Sequence, residues 1–385
     1  MRVLIDYRPA LRERSGVGET THQLVKALLA SHPAVGPTRA LALTLFSSSW
    51  KDRFVRSPDL TGADVVDCRV PVRVLNLAWH RLGWPPAELI AGGAFDVVHS
   101  PHPLLLPSRG AAQVVTIHDV DFLAHPERTR AEIRRDYPAL ARRHARRAEA
   151  VIVPSAYTAA EVERLLGVPR DRIAVCPHGA PDWTPRPASP KDGYVLFFGT
   201  LEPRKNVGGL LDAYERLILS PGSYVASGFS RTLVLAGRAT DEARPWLDRI
   251  SRPPLRGVVR HIGYVEAKDR LALYDGARLL VLPSFDEGFG MPVLEAMTRG
   301  VPVVAADRGA LPELLGDAGL LVDPDRPEDI AHAIARMIDD DGLAATCAAN
   351  GVARARAFRW DETAHRVYET YRQAIDRRAL AARRA

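Results

Sequence analysis

Short apolar runs alternate along this chain with longer stretches whose apolar residues recur every three to four positions. In the amino-terminal half the runs fall at residues 3–5, 41–46, 97–99, 114–117 and 151–153, with a helical pattern over 20–30 between the first two. Runs this short, separated by segments long enough to cross back over a sheet, predict βαβ units and a mostly parallel sheet. The pattern breaks at residues 180–190, where prolines 181, 185, 187 and 190 exclude a continuous helix or central strand, which makes this segment the candidate interdomain linker. It resumes with runs at 194–198, 232–236, 258–261, 279–282 and 301–305. The last stretch, 360–384, spaces Ala364, Val367, Tyr368, Tyr371 and Ile375 as one buried face of a helix.

The simplest fold for this order is α/β: two Rossmann-like, doubly wound domains facing each other across a cleft. The first covers residues 1–182 together with a terminal helix of about 360–385 that crosses back to it, and the second covers 190–358. The 385 residues fit two domains of about 100–200 residues each. No internal repeat or low-complexity tract argues for a solenoid or propeller. Ligands of doubly wound sheets lie beyond the carboxyl ends of the strands, so chemistry is expected just after each run.

Composition narrows this modestly. With 46% hydrophobic and 25% charged residues the chain is neither disordered nor fibrous. The net charge of +6 favours anionic partners: a phosphorylated substrate, a membrane surface or nucleic acid. Cys68, Cys176 and Cys347 are odd in number and far apart, so all three are read as free thiols of a reducing compartment. The first apolar run is too short for a signal peptide and no window approaches 18 apolar residues, which makes the cytoplasm the expected location.

Four segments at strand ends carry candidate chemistry. The loop around Gly16 and Gly18 opens a helix and offers backbone N–H groups to a phosphate. It departs from G-x-G-x-x-G at Thr21 and lacks an acidic residue after the next strand, which argues against a nicotinamide or flavin cofactor, and a tight turn explains it equally well. His118 and Asp119 follow another strand, where an imidazole suits a sugar hydroxyl or a developing charge, or merely ties a loop. Asp119 and Asp121 without a third ligand type do not predict a metal. Next, Gly199 and Thr200 lead to Arg204 and Lys205 at a strand-to-helix switch, an arrangement that suits a diphosphate better than it suits a solvated turn. Finally, Glu287, Gly288, Phe289, Gly290, Met291, Pro292, Leu294 and Glu295 place two carboxylates eight positions apart around a glycine loop and a helix start. Glu295 can accept two hydroxyl hydrogen bonds, as a ribose offers, or act as a macrodipole partner, while the loop presents N–H groups to oxygens.

In this order the segments closely resemble the retaining glycosyltransferases of family 4, which have the GT-B fold. The resemblance covers nearly the whole chain and includes Pro177-His178-Gly179 before the proline-rich stretch, and it implies that the domain at 1–182 is the acceptor side and the domain at 190–358 binds the nucleotide-sugar donor. It implies that Arg204 and Lys205 hold the diphosphate of a nucleotide-sugar donor near Gly199 and Thr200, and that Glu295, beside Leu294, binds the ribose. It further implies that Gly288, Phe289, Gly290 and Met291 hold sugar and phosphate oxygens, Glu287 contacts the donor sugar, and Tyr264 and Val265 pack the nucleobase. His118 would lie near the reacting carbon and the Gly16/Gly18 loop would close over the phosphates. The catalytic set is then His118, Arg204, Lys205 and Glu287, with no metal and no cofactor beyond the donor substrate.

The implied reaction moves a hexosyl group, mannosyl from GDP-mannose before UDP-sugars, to a glycan or lipid-linked acceptor. An anionic membrane surface is a further partner, motivated by an Arg-rich segment at 128–147 and by Trp79 and Trp84 near Arg73 and Arg81. A nucleotide-sugar epimerase of related fold and a non-catalytic basic membrane-binding protein are the competing readings. Nucleic acid is not expected, because no recognised binding module accompanies the charge. The polar stretch 221–230 reads as an insertion without a role.

Overall fold

The computed structural model describes residues 1–11, 14, 16–31, 41–126, 131–190, 192–219 and 232–384. Arg128, Arg130, the 221–230 insertion and the side chains of Arg134 and Arg135 lie outside the described residues. The chain forms two units, Met1–Gly179 with Arg359–Ala385 (unit 1) and Ala180–Phe358 (unit 2).

Unit 1 contains β1 (Arg2–Asp6), β2 (Ala42–Ser48), β3 (Asp64–Cys68), β4 (Val97–Ser100), β5 (Ala112–Thr116), β6 (Ala150–Val153) and β7 (Ile173–Val175). Their order is β3-β2-β1-β4-β5-β6-β7, every pair parallel, with Leu4 in register with Thr44 on one side and Val98 on the other. Unit 2 contains β8 (Tyr194–Phe198), β9 (Leu233–Ala236), β10 (Val259–Gly263), β11 (Ala277–Leu282), β12 (Val303–Ala306) and β13 (Gly319–Val322). Its parallel order is β10-β9-β8-β11-β12-β13. In each sheet the strand order reverses beside the first strand, between β1 and β4 or between β8 and β11. Each unit therefore has its own switch-point crevice.

The central strands are covered on both faces, which is why they read as unbroken apolar runs: β4, β5, β6 and β9 are buried at every residue. Three of the four edge strands, β3, β7 and β13, are half-covered, short or interrupted by polar residues, and the apolar pattern does not mark them, whereas the fourth, β10, is marked by the run at 258–261.

The terminal helix Trp360–Arg384 packs on the helix Val17–Ser31 and on β5 and β6, burying Ala364, Val367, Tyr371 and Ala374. Two polar contacts fix its position: the Tyr371 hydroxyl meets Nδ1 of buried His99 at 2.7 Å, and Thr363 Oγ1 donates to the Pro177 carbonyl at 2.6 Å.

Three expectations change. The proline-rich segment, expected as the interdomain linker, belongs to unit 2, because Arg186 donates to the carbonyls of Tyr274 and Ala277 and Trp183 packs on the Tyr274 ring at 5.6 Å. Trp79 is 3% exposed, donates Nε1–H to the Pro85 carbonyl and lies under the Arg8 guanidinium, so it cannot meet a membrane. Trp84 remains 57% exposed. In the Arg-rich helix Ala131–Arg147, Arg142 and Arg146 donate to the Leu165 and Leu166 carbonyls that end the helix Ala156–Leu166, and Arg143 donates to the His80 carbonyl. Part of this cationic stretch thus closes helix ends inside the unit. No helix of the described residues is long and apolar enough to cross a membrane.

Candidate functional site

The switch point of unit 2 collects the charged residues singled out above. Beyond β8 the chain passes Gly199 and Thr200, forms a single turn at Pro203–Lys205 and enters the helix Val207–Leu219 through Asn206. Asn206 is left-handed (φ 55°), a conformation that asparagine tolerates. Its side chain ties the start of that helix to the segment after β13, accepting from Gly209 N–H at 3.2 Å and donating to the Pro324 carbonyl at 2.7 Å.

Beyond β11, Glu287 lies between the two cations of that turn. Lys205 Nζ donates to Glu287 Oε1, and Arg204 reaches Glu287 Oε2 at 3.3 Å and the Asp286 carbonyl at 2.8 Å. Ser284 Oγ donates to the same Oε1 at 2.8 Å, and Glu202 accepts from Arg204 at 3.0 Å. Burial alone would raise the Glu287 carboxyl, but Lys205 and then Arg204 outweigh it and hold the group below the usual carboxylate range. Glu287 therefore stays ionised, with Lys205 buried against it.

Gly288 and Gly290 then turn the chain into the helix Met291–Arg299. Gly290 has φ +107°, and a Cβ there would stand 2.8 Å from Leu311 Cδ2, so glycine is required. Pro292 occupies the first turn, where its missing N–H costs nothing. Glu295 sits one turn later, buried. Its Oε2 accepts from the Tyr274 hydroxyl at 2.7 Å and its Oε1 from Arg270 at 3.3 Å. The Arg270 guanidinium lies over the Phe198 ring at 5.9 Å.

The other sequence candidates of unit 2 fall around this core in different ways. Leu294 is wholly buried among apolar side chains, and Phe289 packs edge-on against Phe358 at 5.9 Å. Val265 is buried, while the Tyr264 ring carries the Arg238 guanidinium at 5.3 Å. Arg270, Tyr274, Ser284 and Arg238 were not anticipated. Arg270 alone had a legible signal, a cation beside the apolar run Leu271, Leu273 and Tyr274.

Gly16, Gly18 and His118 belong to unit 1. A Cβ on Gly18 would stand 2.4 Å from the Pro9 carbonyl oxygen, so close packing already requires glycine there. His118 hydrogen-bonds the Pro101 backbone, while its Nε2 is buried without a partner. Nδ1 therefore carries the proton and Nε2 is a bare acceptor. Burial pushes the ring down to about 4, so it is neutral. The His118 ring lies 5.5 Å from His178, which stacks on Trp360 at 5.9 Å.

Models of two protein families match the chain, Glycosyltransferase Family 4 over residues 14–182 and Glycosyl transferases group 1 over residues 192–340. The O-antigen chain mannosyltransferase B of Escherichia coli is 34% identical over 291 residues, covering 72% of this chain and 74% of the relative. A D-inositol 3-phosphate glycosyltransferase of Acidothermus cellulolyticus is 33% identical over 75% of this chain and 70% of its own length. In fold the chain is similar to the sucrose-phosphate synthase of Thermosynechococcus elongatus, with TM-score 0.76, 20% identity and 97% and 98% of the two chains covered. It is also similar to WaaG, a glycosyltransferase involved in lipopolysaccharide biosynthesis, with TM-score 0.72, 15% identity and 96% and 99% covered. Those neighbours fix the architecture as GT-B, and relatives matching a third of the residues over almost three quarters of the sequence place the chain among the family 4 glycosyltransferases.

Proposed function

We propose that the protein moves a hexosyl group from a nucleotide diphosphate sugar to a glycan or lipid-linked acceptor with retention of configuration, GDP-mannose being the first donor to test and UDP-sugars the next. The observation that carries this reading is the Lys205–Glu287–Arg204 cluster at the β8/β11 switch point, beside the amino terminus of Met291–Arg299. A departing diphosphate needs positive charge and N–H donors. Lys205 spends one of its three N–H donors on Glu287, and the helix end adds a partial positive charge. This stabilisation asks for no metal ion.

Glu287 is not the nucleophile in this reading, since both of its oxygens already accept hydrogen bonds from Lys205, Ser284 and Arg204. That separates it from a glycosidase carboxylate, which attacks carbon or activates water. The bond from the anomeric carbon to the diphosphate oxygen breaks while the acceptor oxygen bonds to that carbon on the same face. The acceptor proton passes to the departing phosphate oxygen. Glu295, steadied by Arg270 and Tyr274, is the carboxylate that accepts from ribose hydroxyls.

For the acceptor's surroundings we include an anionic membrane surface: Val74, Leu77, Leu82 and Trp84 are exposed along one segment that also carries Arg73 and Arg81. Sedimentation with anionic and zwitterionic liposomes tests this part, and equal binding to both overturns it. The main test is a thermal-shift screen of GDP- and UDP-sugars with and without chelator. A ligand at 100 times its Kd stabilises by about 2.7 kcal/mol. No shift with any nucleotide sugar overturns the reading, and a shift or turnover abolished by chelator overturns its metal-free form.

A further inference from the structure

The two side chains that orient Glu295 come from a helix too short to hold its own place. Arg270 and the fully buried Tyr274 both lie in Arg270–Asp275, six residues long, and isolated helices below about 12–15 residues are marginal in water. The helix that carries Glu295, Met291–Arg299, has nine residues and stands under the same demand. Neighbouring groups must fix both. A carboxylate serving two hydroxyls needs this, because hydrogen bonds weaken steeply with angle and a site held more loosely than about 0.5 Å loses its geometry.

Residues 183–186, which the donor reading does not use, meet the far ends of both helices. Trp183 packs on the Tyr274 ring at 5.6 Å, and Phe198 meets the same ring edge-on at 6.0 Å. Arg186 donates from one guanidinium nitrogen to the Ala277 carbonyl at 2.5 Å and to the Tyr274 carbonyl at 3.3 Å, in the last turn of Arg270–Asp275. A cation is favourable at a helix carboxyl end. The backbone N–H of Arg186 donates to the carbonyl of Arg299, the last residue of the Glu295 helix, at 3.0 Å. The Arg299 side chain closes the loop, donating to the Thr184 carbonyl and to Asp275 Oδ1 at 2.5 Å. Four consecutive residues thus tie together the ends of the two helices whose side chains meet at Glu295. From these contacts we infer that residues 183–186 are a clamp that fixes the angle of the Glu295 carboxylate, and that Trp183 and Arg186 are positioning residues for the ribose of the donor. The ribose role rests on the donor reading above, whereas the clamp itself does not.

The test uses the full chain, with GDP, UDP and their 2′,3′-dideoxy counterparts titrated by calorimetry. The wild type should bind the ribonucleotide about tenfold or more tighter than its dideoxy form. Trp183→Leu and Arg186→Met should each weaken the ribonucleotide by about threefold or more, leave the dideoxy form within about twofold, and raise donor KM with kcat unchanged. Trp183→Phe, which keeps a ring on Tyr274, should restore wild-type affinity. Trp183→Leu combined with Tyr274→Phe should be no weaker than the weaker single variant, because both act through one hydroxyl. Hydrogen exchange reads the clamp without nucleotide: Trp183→Leu should lower protection over 270–275 and leave β8 and β11 as in the wild type. A ribose preference that neither variant changes, equal weakening of the ribo and dideoxy forms, or protection lost equally across the sheet overturns the inference. Failure of GDP and UDP to bind the wild type overturns the donor reading and the ribose role with it, and the exchange measurement still decides whether residues 183–186 hold the helix.

Discussion

The two units share one plan and differ in what they put at its focus. Each is a parallel doubly wound sheet whose order reverses beside its first strand, and each holds a buried carboxylate between basic groups at that reversal. In unit 1 the carboxylate, Asp6, ends the first strand and His102 comes from beyond the neighbouring strand. In unit 2 the roles are exchanged, with Arg204 and Lys205 beyond the first strand and Glu287 beyond the neighbour. Both units start a helix behind a glycine beyond a strand, Val17–Ser31 after Gly16 in unit 1 and Met291–Arg299 after Gly290 in unit 2, but in unit 2 two cations, Arg204 and Lys205, stand at the same switch point, a combination suited to a phosphate. Switch-point topology therefore says where each unit binds, and the side chains say what.

The largest expected difference between the units is in their response to acid. Ten of the twelve histidines belong to unit 1. Burial pushes His22, His80, His118 and His144 down to about 4 and His99 to about 3. Each ring is neutral in the folded chain but takes a proton near 6.5 on unfolding. Unfolding therefore takes up protons between pH 6.5 and 4, and stability falls over that window by about 1.4 kcal/mol per pH unit for each ring. Above pH 6.5 these groups add no pH dependence. Glu287 in unit 2 is held below its usual range, so its contribution is lost only below about pH 4.5. Hydrogen exchange at pH 7.5 and 5.0, corrected for intrinsic rates, should show β1, β4 and β6 losing protection while β8 and β11 keep theirs. Equal losses in both sheets would break the comparison.

Two substitutions probe the paired carboxylates. Asp6→Asn leaves the Arg8 guanidinium buried without its counter-charge and should cost about 3–5 kcal/mol. Chemical denaturation of the full chain reads this directly, and a loss below about 1 kcal/mol would mean that the pair does not hold the crevice. Lys205→Ala removes a donor aimed at developing charge and should lower kcat by about 10²–10³-fold. Near wild-type turnover would remove Lys205 from the diphosphate site. The contrast is the point: the first change acts on folding, the second on chemistry.

What the sequence made legible follows from local physics. The central strands are covered on both faces, so β1, β4, β5, β6, β8, β9 and β11 declare themselves as apolar runs within a few residues of their ends. Three of the four edges, β3, β7 and β13, do not, because one side or most of their length is not sealed by apolar packing, while the fourth, β10, is read from its run at 258–261. Glu287, Arg204 and Lys205 could be named because they stand at strand ends. Their mutual pairing could not, since the partners are 82 and 83 residues apart. Trp79 shows the reverse error: a large aromatic near arginines looks like a surface anchor, yet Arg8 and the Pro85 carbonyl seal it inside.

The smallest predicted effect tests the part of unit 2 that local reading missed. Tyr274→Phe keeps the ring that packs on Trp183 and Phe198 and removes only the hydroxyl that donates to Glu295 Oε2. Glu295 keeps Arg270 on its other oxygen, so the carboxylate stays in place but is less firmly oriented. One such hydrogen bond to a charged group is worth about 1.5–3 kcal/mol, and water or a rearranged ribose contact recovers part of it. The expected outcome is a donor KM raised by about three- to tenfold, equivalent to about 0.7–1.4 kcal/mol, with kcat unchanged. Glu295→Gln should raise KM further in the same direction. If Tyr274→Phe instead lowers kcat and leaves KM alone, Glu295 acts on the reacting bond and not on the ribose, and the division of labour between the two glutamates must be redrawn.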